Sequence, residues 1–164
     1  MSTGAFFVSY DYQLWVKLGT TASTAPTTTT GLTRIFSLSD ASLKGASAKT
    51  GAIDYETGIG GRKDLITEIS YSIPCTMNVS VKDAGYKLLA QAWREGATGT
   101  TVEWLRITPV KDGSEDAVNE QYAGVAFVEG FDENIRAGEI ATVSFTLAGY
   151  GGLTYTAQAA GGGG

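Results

Sequence analysis

The stretch ISYSIPCTMNVSV, residues 69–81, decides the fold class. Every second residue is apolar (Ile69, Tyr71, Ile73, Cys75, Met77, Val79, Val81). The residues between are small and polar (Ser70, Ser72, Thr76, Asn78, Ser80), apart from Pro74. A period of two puts all the apolar groups on one face, which predicts a long half-buried β-strand or a tight strand pair bent at Pro74. The period then changes. Asp83 is a favoured helix N-cap, Leu88, Leu89, Ala92 and Trp93 share one helical face, and Gly96 closes the segment. One helix of about three turns is expected, with Trp93 packed in the core.

Outward from this centre the signal alternates between strands and long loops. Residues 7–18 form the first strand pattern, with Tyr10, Tyr12, Leu14, Val16 and Leu18 on one face. Residues 19–31 (GTTASTAPTTTTG) lack the large apolar groups that anchor a chain in a core, and residues 40–64 are another long stretch of mostly small and polar residues, so both read as long exposed loops. Loops of that length in a compact domain point to function or to linkers. Residues 122–128 and 140–147 alternate again and read as strands, before a C-terminal arm or flexible tail at 153–164 that ends in four glycines. Residues 1–152 are read as one domain, since 164 residues hold one real core and not two.

Composition narrows the function classes. The 43% hydrophobic content comes with no apolar run near the ~20 residues that span a bilayer, and the first ten residues do not read as a signal peptide. Synthesis in a cytoplasm is expected, and the single Cys75 agrees with a reducing compartment. Residues 1–94 carry a net charge of +2 and residues 95–164 a net of −7, which gives the overall −5. No basic stripe is present to grip phosphates, whereas an acidic surface would let nucleic acid slide past without sticking.

Enzyme chemistry finds little support. The chain has no histidine, which removes Ser-His-Asp triads, Cys-His pairs and His-ligated zinc. Asp112, Ser114 and Asp116 imitate the start of a calcium loop, but Ala117 and Ala123 stand where its glycine and final glutamate belong, so a solvated acidic turn is the reading. Gly58, Gly60, Gly61, Arg62 and Lys63 lack the Gly-Lys-Ser/Thr ending of a phosphate loop. Neither a catalytic residue, a metal site nor a cofactor is predicted. Trp15, Trp93 and Trp104 with eight tyrosines leave one rival class, a monomeric carbohydrate-binding β-sandwich that stacks sugars on an aromatic platform.

Two stretches carry a family resemblance. In ITEISYSIPCTMNVSVKDAGYKLLAQAWREGATGTTVEWLRITP (66–109) a strand leads through an Asp-x-Gly turn at Asp83 and Gly85 into a Leu-Leu helix at Leu88 and Leu89. In YAGVAFVEGFDENIRAGEIATVSFTLAGYGG (122–152) a Gly-centred strand and a loop with Gly138 precede a final strand. In this order, with the helix between, the chain resembles the major tail tube proteins of long-tailed bacteriophages. The resemblance implies a mainly β fold, a β-sandwich or partly closed barrel with one flanking α-helix and long assembly loops. It implies hexameric rings whose inner sheets join into one continuous β-barrel, stacked as the tail tube of a virion, a passive conduit for DNA made in the bacterial host. Other tail proteins (tape measure, terminator, distal tail) are implied as partners, and tubes of contractile injection or secretion machines as an alternative setting.

Within that frame, strands lining the lumen need one apolar and one small polar face. The candidates for the lumen are Ser70, Ser72, Thr76, Asn78, Ser80, Thr142, Ser144 and Thr146, with Glu68, Glu129 and Glu139 nearby to repel phosphate. The segment 40–64 stands where the family carries the loop or hairpin that reaches the next ring. Ile53, Tyr55 and Ile59 are its candidate contact residues.

Overall fold

The computed structural model describes residues 13–36, 38–54, 61–80, 82–109 and 119–158. Nine strands form one antiparallel sheet, flanked by one helix. In chain order they are β1 (Gln13–Gly19), β2 (Thr33–Arg34), β3 (Leu38–Ala41), β4 (Lys44–Asp54), β5 (Gly61–Asn78), α1 (Ala84–Arg94), β6 (Thr101–Pro109), β7 (Asn119–Asn134), β8 (Thr142–Gly149) and β9 (Thr154–Gln158). The spatial order is β2-β1-β6-β7-β8-β5-β3, with β4 also on β5 and β9 also on β7. The sheet is mainly β as expected, and it curls without closing into a barrel. Its curl is visible in a bond between distant strands: Arg106 Nη1 on β6 donates to the Ala41 carbonyl on β3 at 3.0 Å.

The alternation of residues 71–77 is realised residue by residue. Tyr71, Ile73, Cys75 and Met77 are buried, and Ser72, Pro74 and Thr76 between them are not. β5 is one continuous strand of 18 residues, not a pair bent at Pro74. On its β3–β4 side the pairing steps from Lys44↔Ser72 to Ala41↔Cys75, so the proline falls in the gap between two partners, where its missing N–H disrupts no pair. The other inner faces (Leu14, Val16, Val102, Trp104, Ala126, Val128, Val143, Phe145, Leu147) join β5 in one core, onto which α1 lays Leu89 and Ala92.

Asp83 caps the helix by accepting from Gly85 N at 2.9 Å, and its second oxygen accepts from Phe36 N at 3.3 Å, tying the helix start to the chain after β2. The helix ends at Arg94, and the left-handed residue that turns the chain is Gly99, at φ 93°, after a short 3-10 turn; Gly96 does not serve as the stop. Two segments that composition assigned to loop and tail are paired strands. Residues 44–54 lie against β5 in register from Lys44↔Ser72 to Asp54↔Gly61, and residues 154–158 lie against the start of β7. Backbone pairing needs no large side chain, which is why small residues concealed it. The first-strand residues before Gln13 lie outside the described residues.

The Tyr71 hydroxyl is a buried polar group. It donates to the Val125 carbonyl at 2.8 Å and accepts from Trp104 Nε1 at 3.2 Å, with the two rings edge to face at 5.6 Å. Room for the ring comes from Gly149 and Gly124, since a Cβ on Gly149 would sit 2.7 Å from Tyr71 Cε1. Burial raises the phenol above its ordinary 10.0, against smaller opposing contributions from its two hydrogen bonds. The folded state therefore holds this proton more tightly than the unfolded chain, so its stabilisation is complete below about pH 10 and fades as pH rises through the raised value. Replacing Tyr71 by Phe should cost about 1–3 kcal/mol in denaturant unfolding, because the Trp104 N–H and Val125 carbonyl lose their partner. The same variant should unfold with a shallower alkaline dependence above pH 10, measured by circular dichroism.

Candidate assembly surfaces

Opposite the core, the sheet presents rows of short polar side chains. Paired residues share a face, so the rows can be read from the register. One runs Asp40, Thr76, Ser144, Asp132, another Asn78, Thr142, Asn134, and a third Pro74, Thr146, Glu129. Within the first, the Thr76 and Ser144 hydroxyls lie 3.5 Å apart, and Ser39 Oγ donates to the Thr76 carbonyl at 3.0 Å. These rows hold no cation; carboxylates flank the hydroxyls on both sides of the first row, and Glu129 lies beside Thr146 in the third. Toward the start of β5, the next row begins with Lys44 opposite Ser72.

Six of the residues read from sequence as lumen candidates come together here: Ser72, Thr76, Asn78, Thr142, Ser144 and Thr146. Two do not. Ser70 pairs only with Ala46, beyond the end of β8, and Ser80 lies past β5, where its carbonyl accepts from Asp83 N at 2.9 Å. Glu129 joins the rows, whereas Glu68 lies on the hairpin and Glu139 in the β7–β8 turn.

Asp40 and Asp132 belong to this face and were missed by sequence reasoning. For Asp132 the cause is a bulge. Glu129 faces Thr146 and Asp132 faces Ser144, so β7 spends one residue more than β8 between these pairs, and Gly130 supplies a left-handed φ of 59°. The extra residue inverts the alternation. It sends Phe131 to the core side, against Phe145 at 6.5 Å and Trp93 at 5.5 Å, and returns Asp132 to the polar face. A glycine inside an alternating run was the available signal.

Beyond Tyr71, β5 pairs only with β4, and residues 46–54 and 61–70 make a two-stranded arm off the body of the sheet. Ile69 and Ile66 are 74% and 59% exposed on it. Ile69 was expected on the buried face, but among the described residues no second layer follows the sheet this far out. Of the candidate contact residues, Ile53 pairs with Arg62 in the arm, while Tyr55 and Ile59 lie outside the described residues, as do Asp112, Ser114 and Asp116. Gly61, Arg62 and Lys63 are strand residues of the arm. Among the described residues the edges are thin: β1 meets only the two-residue β2 on its outer side, and β4 meets only β5.

The three tryptophans form no common platform. Trp104 is fully buried, and Trp15 alternates with buried Leu14 and Val16, so it faces the opposite side of the sheet. Trp93, expected in the core, is 46% exposed, and with Tyr86, Phe131, Arg94 and Glu133 it lines a groove of about 310 Å³ beside the helix. Tyr86 donates to Glu133 Oε1 at 2.6 Å, and that bond, then burial, raises its phenol. Cys75 is buried with its thiol pushed up by that burial, as suits a packing residue and not a nucleophile. No helix of the described residues is long and apolar enough to cross a membrane.

The sequence matches no protein-family model and no curated protein. Solved structures do share the fold. A chain of the virion of a native gene transfer agent particle superposes with a TM-score of 0.64 at 15% identity, covering 91% of this chain and 98% of that one. The SPP1 tail tube gives 0.63 at 14% identity over 93% and 79%. The tail of the empty gene transfer agent particle, solved with helical refinement and C6 symmetry, gives 0.58 at 16% over 91% and 98%. At these identities the likeness is one of fold, and the fold is the one used by tail tubes. The bulge is the local feature this face depends on. Gly130→Val, a β-branched residue forced into the left-handed region, should destabilise by about 1–2 kcal/mol in denaturant unfolding, with a loss of Trp93 fluorescence shift as Phe131 leaves its stack.

Proposed function

We propose that this chain is a structural subunit that polymerises as stacked six-membered rings into the tail tube of a phage-type virion, a passive conduit for DNA. The observation that carries the reading is the pairing of an open, curled sheet with a projecting arm, in a fold shared over nine-tenths of the chain with tail and tube assemblies. An isolated subunit has little use for either feature. Its thin edges offer backbone groups to a neighbour, and edge-to-edge joining in a ring pairs them. The six-fold symmetry of the related tail supports six subunits per ring.

In such a ring α1 lies outside and the polar rows face the lumen. Hydroxyls flanked by Asp40, Glu129 and Asp132 give a wetted wall that repels phosphate, which suits passage without friction. The role needs no catalysis and no cofactor. Related tubes of contractile machines use the same physics, but no separate feature here favours that setting.

Two measurements test the reading. Concentrated purified protein should form tubes in negative-stain images, and their absence under all associating conditions would count against it. In a Cys75→Ser background, single cysteines at Ser72, Asn78 and Ser144 should react quickly with a bulky maleimide in the subunit and slowly in tubes closed at both ends. Reaction that stays fast in such tubes would place the polar rows outside.

A further inference from the structure

Resting on the tube reading, we infer that successive rings are joined by Ile66 and Ile69 of one subunit's arm seated on Ile135 and Ile140 in the β7–β8 turn of a subunit in the next ring. These four are among the most exposed large apolar side chains, at 59%, 74%, 70% and 75%. They occur as two pairs at opposite ends of the molecule. The arm leaves β5 beyond Ser72, opposite Ala148, and the turn lies beyond the other end of the same pairing, at Asn78↔Thr142. Two different patches at opposite ends make a heterologous contact, which propagates along an axis and does not close on itself.

The arm is shaped for this contact by its own bulge. Ala48 faces Glu68 and Lys49 faces Ile66, so β5 carries one extra residue between these pairs. Without it Ile66 would lie on the face opposite Ile69; with it, both share one face. At about 3.3 Å per strand residue, Ile69 and Ile66 stand roughly 10 and 20 Å past Ser72, within reach of a neighbour stacked at that end.

Charge agrees with the pairing. Lys49, directly across from Ile66, is exposed, and Glu139 beside Ile140 is exposed. An arm-to-arm contact would instead oppose Lys49 to a second Lys49, with like charges at the joint.

The test uses Ile69→Cys together with Ile140→Cys in a Cys75→Ser background, treated with a short bis-maleimide before and after polymerisation. A ladder of covalent oligomers beyond the dimer is expected from the double variant, only after polymerisation, because each subunit offers one reactive group at each end. Tubes without a ladder, or dimers from Ile69→Cys alone, overturn the joint while leaving the tube reading intact. No tubes from the unmodified chain overturn the tube reading and the joint with it. Charge reversal gives an independent readout that leaves the fold untouched: Lys49→Glu and Glu139→Lys should each lower the sedimentable fraction several-fold and restore it when combined. Additive loss in the combined variant would overturn the pairing.

Discussion

The hydroxyl of Tyr71 holds the point on which the rest of the structure turns. β5 belongs to two assemblies at once: from Ser72 onward it is paired with β8 in the body of the sheet, and before that it is one half of the arm. Tyr71 sits at the junction, and its bonds to Val125 on β7 and Trp104 on β6 cross the core from one limb of the curled sheet to the other. A buried hydroxyl satisfied on both sides is directional in a way that apolar packing is not, so it ties β5 to β6 and β7 beside the point where the arm departs. Glycines at 124 and 149 are the accommodation the ring requires.

Two bulges then decide what each face displays. In a strand of strict alternation a single extra residue exchanges the faces for everything beyond it. At Gly130 the exchange brings Phe131 beneath the helix and Asp132 onto the polar rows; at the arm it brings Ile66 alongside Ile69. The described residues thus present a polar face with carboxylates and an exposed apolar stripe from one continuous sheet.

The division of labour between faces has an energetic logic. Core burial is concentrated on one side of the sheet and under α1, which stabilises the subunit by itself. The edges, arm and turn remain outside that core and are the surfaces on which the proposed contacts between copies would fall.

Much was determined by sequence alone. The period of two in residues 71–77 specified a half-buried strand, Asp83 specified the helix start, and the absence of histidine removed whole classes of chemistry, because each is a local property of residue type and spacing. Six of the eight hydroxyl and amide residues assigned to one face come together where β5 pairs with β8, since alternation is local wherever no bulge intervenes. Only the tertiary structure decided the rest. Residues 44–54 are a strand because β5 supplies backbone partners that small side chains do not announce, and Trp93 is half exposed because a helical stripe does not reveal which of its borders meets the sheet. Asp132 and Ile66 owe their faces to bulges whose positions are set by the neighbouring strand, and pairing between distant residues cannot be read from either strand by itself.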